Sequence, residues 1–322
     1  MKNNVVLIIT NRDDPHVDYL TPLIKAEGME CIRCNTELFP TNIDAGAVIC
    51  DDFEKSYLVI GERTVAFEEI SSIWYRRPLD PVPSPSIIAP SSREFALKET
   101  RDFMEGIWFR TDALWVNHPH HLRRASKKIE QLAIARRVGW KIPPSLVSND
   151  VAAIKNFVEN YGDVMVKTLA SQYVISEDGY RAFFSHRLTS EDMMKIGDAK
   201  LCPCIFQATI PKKLELRITV MGDTVFAAAM DTQRVPRAKN DWRRATDQEF
   251  PCTPYKLPEE ISLKSTAIAK AFNLQFASMD AILTPEGKYV FLDLNPNGQW
   301  LWVEFKTGMP MALRFARLLA GK

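Results

Sequence analysis

The chain has 322 residues, of which 46% are hydrophobic and 25% charged, a length sufficient for about two domains with a large buried core. Its 41 lysine and arginine residues nearly cancel its 40 aspartate and glutamate residues, which excludes the basic surface of a typical nucleic-acid-binding protein. No apolar run approaches the roughly 18 residues of a membrane span, and Val5–Ile9 is too short for a signal peptide. The six scattered cysteines lack zinc-ribbon spacing and are typical of reduced thiols. We therefore expect a cytoplasmic protein that binds neither nucleic acid nor membranes.

Residues 1–115 are predicted to form one α/β domain. The apolar run Val5–Ile9 predicts a strand buried on both faces, and Asp14 and Gly28 are typical of the first and last positions of the helix that follows. A second strand over 29–34 completes a parallel βαβ unit. We expect three further features along this domain: a hairpin formed by 57–60 and 63–67, a strand ending at Tyr75, and a proline-rich loop over 78–90.

The same domain should end with a helix after the proline-rich loop. Ser91 and Glu94 have the spacing of a capping box and predict its first turn. The apolar residues Phe103, Met104, Ile107 and Trp108 recur at helical spacing, and the pattern ends near Ala113.

Two more domains are predicted, a central one at 116–205 and a C-terminal one at 206–322. The central domain combines helices ending near Gly139 and Tyr161 with a strand over 164–169 and a hairpin joined at Asp178-Gly179. The C-terminal pattern changes to long antiparallel strands at 214–220, 225–229, 275–283 and 289–295. The predicted fold class is α/β, with α+β character in the C-terminal part.

The strand at 289–295 carries two oxygen ligands at its end. Strand alternation places Asp293 and Asn295 on one face together with Phe291. If Leu283 pairs with Lys288 across the turn at 284–287, Asp280 lies opposite Phe291 and diagonal to Asp293. Two carboxylates and a carboxamide suit Mg²⁺. Taken alone, a single Asp-x-Asn is more often an ordinary strand end, so this assignment depends on neighbouring residues.

Polar and cationic residues elsewhere in the sequence support the assignment of a magnesium site. The strand Leu214–Val220 alternates so that Glu215 and Arg217 share one face, and an arginine beside magnesium is typical of phosphoryl transfer. Lys167 lies in the apolar strand 164–169, where an ammonium group needs an anion as partner. Lys128 stands in the first turn of a helix; a surface position is equally compatible with its basic neighbours.

The order of these features resembles the ATP-grasp ligases over essentially the whole chain. Within that superfamily the sequence resembles the microviridin-type ligases, or graspetide synthetases, which join side chains of a ribosomal precursor peptide into macrocyclic esters or amides. The segments that carry this closer resemblance are Ile73-Trp74-Tyr75-Arg76-Arg77-Pro78, Arg124-Ala125-Ser126-Lys127-Lys128 and Asp293-Leu294-Asn295-Pro296-Asn297-Gly298-Gln299-Trp300.

The resemblance implies a set of roles at an ATP and Mg²⁺ site. Lys128 and Lys167 would contact ATP phosphates, and the segment Gln207-Ala208-Thr209-Ile210 would hold the adenine. Glu215 would meet the ribose and Arg217 the γ-phosphate or acyl phosphate, with Arg217 and Lys167 as catalytic residues. The magnesium ligands would be Asp280, Asp293 and Asn295. Two positions depart from the wider superfamily, which has glutamate in many members at Ala208 and usually at Asp293; the second change is tolerated in the peptide-cyclising branch.

The resemblance also implies a peptide partner with a leader and an acidic core. The hairpin over about 173–185 and the helix near Thr189 would hold the leader, with contacts from Tyr173, Arg181, Phe183, Glu191 and Asp192. A plain surface hairpin is the alternative. The loop 233–244 carries five cations against one anion and is a candidate for attracting the acidic core, or is a solvated loop. We also expect a homodimer.

The predicted reaction is ATP-dependent macrocyclisation. Phosphorylation of an Asp or Glu side chain gives an acyl phosphate, which a Ser or Thr hydroxyl attacks to give an ester, the favoured product, or a Lys amine to give an amide. One alternative is a ligase that adds free amino acids to a peptide or metabolite. The other is a nucleotide-binding regulator without catalytic activity.

Overall fold

The computed structural model describes residues 4–170, 173–176, 179–245 and 249–322, with 173–176, 180 and 181 described by their backbone alone. The chain divides into two compact units: one runs to Pro119 and includes Pro310–Lys322, and the other is His120–Met309. The finer division of the second unit at residue 205 stays a prediction. None of the helices in the described ranges combines the length and apolar character needed to cross a membrane.

The secondary-structure elements are numbered here in chain order. The strands are β1 (Val5–Thr10), β2 (Glu30–Asn35), β3 (Ile43–Ile49), β4 (Glu54–Ile60), β5 (Arg63–Ala66), β6 (Ile70–Tyr75), β7 (Leu114–Val116), β8 (Ser145–Ser148), β9 (Val164–Lys167), β10 (Tyr173–Ser176), β11 (Gly179–Ala182), β12 (His186–Arg187), β13 (Cys204–Ala208), β14 (Leu214–Met221), β15 (Thr224–Met230), β16 (Cys252–Pro254), β17 (Phe276–Leu283) and β18 (Tyr289–Asn295). The α-helices are α1 (Pro15–Ala26), α2 (Pro90–Trp108), α3 (Pro119–Ala125), α4 (Lys128–Arg137), α5 (Val151–Tyr161), α6 (Ser190–Met194), α7 (Glu259–Ala271), α8 (Leu301–Thr307) and α9 (Met311–Leu319).

The first unit is built on a parallel sheet of order β2-β1-β6-β7, which confirms the predicted βαβ start. All residues of β1 are buried, as its continuous apolar run requires. Helix α1 begins as expected, because the Asp14 carboxylate accepts a hydrogen bond from the His16 N–H and Pro15 occupies the first helical position. Helix α9 joins this unit, where Phe315 packs against Trp74.

Two predictions for the first unit were wrong. Helix α2 begins at Pro90, before the expected capping box, and Ala89 precedes it without a side-chain cap. Proline at the first helical position already has the required φ and needs no N–H partner, so it sets the start. The helix ends at Trp108 rather than near Ala113. Strand β3 was missed; it pairs with β4, and Gly46 leaves room there for the Tyr57 ring.

The second unit contains two larger sheets with separate apolar cores, besides the two-stranded sheet of β10 and β11. The central sheet has the order β12-β9-β13-β8, and β13 pairs with a strand on both sides. Helix α5 packs on it through Ile154, beside Val164 and Phe206. The C-terminal sheet is antiparallel with the order β16-β15-β14-β17-β18, and helices α4 and α7 cover its apolar face. The other face of this sheet carries the polar residues of β14.

A hairpin of β10 and β11 follows the central strand β9, as predicted, and its pairing runs from Tyr173–Ala182 to Ser176–Gly179. Asp178 of the expected turn lies outside the described residues, as do Ser171 and Gln172 before the hairpin.

Candidate active site

A cleft runs through the second unit along the polar face of the C-terminal sheet. One part, of about 840 Å³ with its open mouth, is lined by Lys128, Asp280 and Asp293 and is called the carboxylate end. The adjoining part, of about 1170 Å³, is lined by Ala208, Thr209 and Ile210 and is called the Ile210 end. Both parts share the side chains of Lys167, Gln207, Glu215, Asn240 and Leu292.

Most of the predicted site residues meet at this cleft. Those that line it are Lys128, Lys167, Phe183, Gln207, Ala208, Ile210, Glu215, Asp280 and Asp293. Arg217 lies directly behind Asp280, while Asn295 is exposed near the end of β18. Neither Glu191 nor Asp192 lines the cleft, and the side chains of Tyr173 and Arg181 are outside the described part of the chain. The assigned roles stay predictions, but most of the proposed nucleotide-binding and metal-binding residues are together.

Strand β14 places its polar residues on the cleft side by simple alternation. Leu216, Ile218 and Val220 enter the apolar core under the sheet. Glu215 and Arg217 therefore project to the opposite face, as predicted, and the pairing of β14 with β17 puts Arg217 directly opposite Asp280.

The pairing of β17 with β18 differs from the expected register. Leu283 pairs with Tyr289, not Lys288, and a bulge at Leu292 separates the Ala281–Phe291 pair from the Asp280–Asp293 pair. The extra residue changes the alternation, so Phe291 packs in the apolar core instead of sharing a face with Asp293. The bulge brings the two carboxylates directly opposite each other, closer than the diagonal arrangement that was predicted.

Each carboxylate of this pair is held by one cation. Lys128 Nζ donates to Asp293 Oδ1 at 2.7 Å, and Arg217 Nη1 donates to Asp280 Oδ1 at 2.9 Å. The second oxygen of each carboxylate accepts no hydrogen bond from the described residues. Oxygen donors of this kind fit Mg²⁺, which is usually bound by one or two carboxylates plus substrate phosphates.

The remaining candidate ligand, Asn295, is set apart from this pair. Its Oδ1 accepts a hydrogen bond from the Asn297 N–H at 3.3 Å, within the turn after β18. The described residues contain no cluster of three His, Cys, Asp or Glu side chains that could hold a metal. The candidate set falls outside that definition, because it has two carboxylates and one carboxamide. It still fits Mg²⁺, an ion that completes its coordination shell with phosphate and water.

Arg217 connects strand β17 with the turn after β18 through two hydrogen bonds. Its side chain is only 5% exposed, and Nη2 donates to the Gln299 carbonyl at 3.0 Å. The guanidinium packs under Gly298, where a Cβ atom would lie 2.9 Å from Nη2. Arg217 thus fixes both Asp280 and the turn after β18, and the predicted contact with the γ-phosphate stays a prediction.

Lys167 lines both ends of the cleft from strand β9. No described residue forms a hydrogen bond or ion pair with its ammonium group. Burial, together with the nearby charge of Lys128, lowers the pKa of Lys167 to about 8, although Asp293 and Asp241 act in the opposite direction. An ammonium group in this environment is a ready partner for an anionic ligand such as a phosphate.

The Ile210 end offers unused hydrogen-bonding groups. The N–H groups of Ala208 and Thr209 already donate to the carbonyls of Pro144 and Asp163. The Ile210 N–H has no partner among the described residues, and buried Gln207 Oε1 and Thr209 Oγ1 have none either. These groups leave one backbone donor and two side-chain atoms for a ligand such as a nucleobase.

Glu215 stands between the two ends of the cleft. Its Oε1 accepts a hydrogen bond from Lys212 Nζ at 2.5 Å, while buried Oε2 has no partner in the described part of the chain. Burial raises the pKa of Glu215 above its usual value, against the effect of Lys212. A hydroxyl donor would satisfy Oε2, which fits the predicted ribose contact.

Sequence reasoning missed two residues of the carboxylate end, Asp241 and Arg243. Both belong to the loop 233–244, which was flagged only for its positive charge. The cations of that loop differ in position: Arg234 and Arg237 pair with Asp231 and Glu249 at the surface, whereas Arg243 lines the cleft. The only sequence feature that could have pointed to this pair was Asp241, the single anion in a loop with five cations.

The predicted leader-binding segment lies beside the cleft only in part. Phe183 lines the carboxylate end. Glu191 pairs with Lys195 on the exposed face of α6. Asp192 is used within the helix, because its carboxylate accepts hydrogen bonds from the N–H and hydroxyl of Thr189 in a capping box.

A known family model matches the N-terminal part of the chain. Residues 5–123 match the family model of the MvdD pre-ATP grasp domain. No curated protein matches the chain in sequence.

Solved structures match the chain from end to end. The Chryseobacterium gregarium RiPP-associated ATP-grasp ligase, in complex with ADP and a leader and core peptide, is 28% identical with a TM-score of 0.92, covering 99% of this chain and 97% of that one. The macrocyclase MdnC from Microcystis aeruginosa MRC, bound with the precursor peptide MdnA, is 28% identical with a TM-score of 0.85, covering 99% and 100%. PsnB, an ATP-grasp ligase complexed with a minimal precursor variant, Mg and ADP, shares the fold at 20% identity and a TM-score of 0.78, covering 99% and 98%.

The fold and the site define an ATP-grasp ligase. Residues 5–123 resemble the MvdD pre-ATP grasp domain, and the resemblance to ligases that act on ribosomal peptides, expected from the sequence, is confirmed.

Proposed function

We propose that this protein uses ATP and Mg²⁺ to cyclise a ribosomally synthesised precursor peptide, with side-chain esters as the favoured product. The observation that carries the proposal is the cleft itself, in which Lys128 and Lys167 stand beside the opposed carboxylates of Asp280 and Asp293. Proteins of the same fold, similar over nearly the whole chain, are a peptide macrocyclase and a RiPP-associated ligase.

The reaction begins with an acidic side chain of the peptide. A carboxylate oxygen attacks the γ-phosphorus of ATP, and the bond from that phosphorus to the bridging oxygen breaks, so that ADP leaves with the electron pair. A hydroxyl group of the peptide then attacks the acyl carbon, loses its proton and expels inorganic phosphate. An ester is formed, and one water is lost from the peptide for each ring.

The residues of the cleft contribute binding and orientation. Lys128 and Lys167 hold the phosphates, Glu215 holds the ribose, and Ile210 with Gln207 faces the nucleobase. Asp280, Asp293 and Asn295 would hold Mg²⁺, which when bound neutralises the charge of the transferring phosphoryl group. Arg217 keeps Asp280 in place through the hydrogen bond of 2.9 Å. No protein nucleophile is needed, because the acyl phosphate is itself the activated species.

The peptide is proposed to bind in two parts. Its leader would lie along the hairpin of β10 and β11 and helix α6, and its acidic core would enter the carboxylate end past Phe183, which lines that end. We further propose that the protein is a cytoplasmic homodimer; all six cysteines are free thiols, as a reducing compartment favours. Light scattering of the purified protein measures the dimer directly.

The test is a reaction with short peptides that carry repeated Thr or Ser and Glu or Asp residues, ideally those encoded beside the gene. We expect one ADP and the loss of one water per ring, with the rings opened by mild base as esters require. Gain of an amino-acid residue would instead identify a ligase for free amino acids. Absence of ADP release with every candidate peptide would favour a regulator without activity.

A further inference from the structure

The turn 241–244 places a second arginine at the carboxylate end of the cleft. Arg243 lines this end but not the Ile210 end, so it stands on the side of Asp280 and Asp293. Its side chain is 31% exposed, compared with 5% for Arg217. Of these two arginines, Arg243 is the one whose guanidinium a ligand in the cleft can reach.

Asp241 holds this guanidinium in a fixed orientation. Asp241 Oδ1 accepts from Arg243 Nε at 2.8 Å and Oδ2 accepts from Nη2 at 2.6 Å, a two-point pairing of carboxylate and guanidinium. Arg243 Nη1 has no partner among the described residues. The pairing therefore uses one edge of the guanidinium and leaves the other edge for a ligand.

Asp241 is itself anchored. Its side chain is 3% exposed, and Oδ2 also accepts the N–H of Ser185 at 3.1 Å. Although burial raises the pKa of Asp241, its hydrogen bonds from Arg243 outweigh that effect and hold the pKa below the usual value, so the carboxylate stays charged. Trp242 packs against Trp302 with ring centroids 5.3 Å apart, and the Arg244 guanidinium lies 5.4 Å from the Phe184 ring, so both flanks of the turn are fixed.

A charged, oriented and partly exposed guanidinium at the same end of the cleft as two carboxylates is suited to bind an anionic ligand that enters there. Although burial lowers the pKa of Arg243, its hydrogen bonds to Asp241 raise it above the usual value, and the nearby charges of Asp280 and Asp293 act in the same direction as Asp241. A transferring phosphoryl group would supply the equatorial oxygens that such a donor edge can bind in pairs.

We infer that Arg243 is a catalytic residue that binds the phosphoryl group as it passes from ATP to the substrate carboxylate, and that Asp241 is the positioning residue that aims it. This inference rests on the proposed function, because it assigns the phosphoryl group a place in the same site. The two arginines then have different roles. Arg217 fixes Asp280 and the turn after β18, and Arg243 contacts the reacting group.

The variants Arg243→Ala, Asp241→Asn and Arg234→Met test the inference. Arg234 is the matched control, a cation of the same loop whose side chain is 73% exposed and paired with Asp231. With a cyclisable peptide, Arg243→Ala should lower kcat by at least about a hundredfold while KM for ATP stays within about threefold, since the lost contact is made in the transition state. Asp241→Asn should lower kcat by about tenfold and also lower the melting temperature, because both oxygens of Asp241 accept hydrogen bonds and the new amide NH2 would face a donor. Arg234→Met should match the wild type.

Two readouts separate a chemical role from a structural one. Guanidinium chloride, below denaturing concentrations, should restore much of the activity of Arg243→Ala, because it supplies the missing group. Aluminium fluoride, which imitates a transferring phosphoryl group, should tighten binding of ADP and Mg²⁺ to the wild type and to Arg234→Met but not to Arg243→Ala. This second measurement needs no peptide, so it is independent of the proposed function.

The outcomes are distinct. Equal tightening in the wild type and Arg243→Ala, no tightening in the wild type, or equal losses of activity in Arg243→Ala and Arg234→Met would overturn the inference. If the wild type cyclises peptides while Arg243→Ala is fully active, the proposed function stands and the inference is wrong. If no peptide is cyclised but only Arg243→Ala loses the tightening, the inference holds for another acyl substrate.

Discussion

Asp280 and Asp293 lie directly opposite each other on β17 and β18, because Leu292 forms a bulge between the two pairs that flank it. Arg217 stands opposite Asp280 on the other side, so a cation and two carboxylates form one row across three strands. Lys128 holds the outer carboxylate from helix α4. A metal at this row would have to share Asp293 with Lys128 or displace it, which connects the metal site to a lysine predicted to bind phosphate.

The first prediction concerns the metal ligands. Asp293→Ala or Asn295→Ala should abolish cyclisation while affinity for the precursor peptide stays within a few fold, because the metal serves phosphoryl transfer more than leader binding. Mass spectrometry of the peptide and titration of labelled leader measure the two quantities. Asp223→Ala is the control, since this carboxylate is 89% exposed at the turn between β14 and β15. Turnover near the wild-type rate in either variant contradicts its assignment as a ligand.

The second prediction is that Lys167→Met separates stability from nucleotide binding. The variant keeps the apolar stem and removes the charge, so ATP affinity should fall. The folded pKa of about 8 lies below the value of 10.5 in an unfolded chain, which means that the unfolded chain binds the proton more tightly between these pH values. The buried ammonium group therefore opposes folding most at and below pH 8, and this cost declines as pH rises towards 10.5.

Thermal unfolding at pH 7 should accordingly show Lys167→Met melting a few degrees above the wild type, with the difference smaller at pH 10. ATP affinity of the wild type should decline as pH rises through about 8. Unchanged nucleotide affinity in Lys167→Met would refute the assignment, whatever happens to the melting temperature.

The third prediction tests the support beneath the metal row. In Gly298→Ala, the new Cβ would lie 2.8 Å from Ser278 Cβ and 2.9 Å from Arg217 Nη2, so the turn or the guanidinium must shift. We expect destabilisation of about 1–3 kcal/mol and a lower kcat, because Arg217 holds Asp280. Gly197→Ala is the control in the same unit, since its Cβ would meet nothing within 4 Å. Equal stability and activity in both variants would show that the packing under Gly298 is not tight.

The sequence predicted which residues line the cleft better than it predicted the pairing register of strands β17 and β18. Alternation in β14 correctly placed Glu215 and Arg217, because a strand with one apolar face has a single way to bury it. The bulge at Leu292 left no comparable signal, since Leu292 and Leu294 are both apolar and either alternation looks plausible. Asp241 and Arg243 were missed for another reason: their pairing depends on an irregular turn and on the Ser185 N–H, 56 residues away in the chain.

The fourth prediction concerns acid stability of the first unit. His16 is buried in α1, and burial, with the charge of Arg76, lowers its pKa to about 4 from 6.5, against the opposing effect of Asp14. The unfolded chain thus binds a proton on His16 between pH 6.5 and pH 4 that the folded chain does not. His16 therefore contributes stability above pH 6.5 that is lost as pH falls towards 4, up to about 3 kcal/mol.

Urea unfolding measured between pH 4 and pH 7 tests whether the free energy of unfolding falls on acidification as expected. His16→Gln should show a shallower loss of stability on acidification than the wild type, even if it is less stable at pH 7. A parallel decline in the wild type and His16→Gln would exclude His16 as the source.

The last prediction is that leader and core bind at separate places, the leader at residues 173–195 and the core near Arg217 and the carboxylate row. Helix α6 offers a clean test, because Glu191 is exposed and pairs only with Lys195 among its described neighbours, whereas Asp192 caps the helix. Glu191→Lys should weaken leader binding by about tenfold without unfolding the helix, and full activity should return at saturating peptide. Asp192→Asn should weaken leader binding through loss of the cap, with a cost of about 1 kcal/mol to the helix.

Arg217→Ala should do the reverse, sparing leader affinity and blocking product, because it releases Asp280 and the turn after β18. A leader peptide supplied separately should partly restore reaction of a leaderless core in the wild type, since leader binding would stabilise the competent conformation, but not in Arg217→Ala. Titration of labelled leader against the Glu191 and Arg217 variants decides between one site and two. Equal losses of leader affinity in both variants would exclude separate sites.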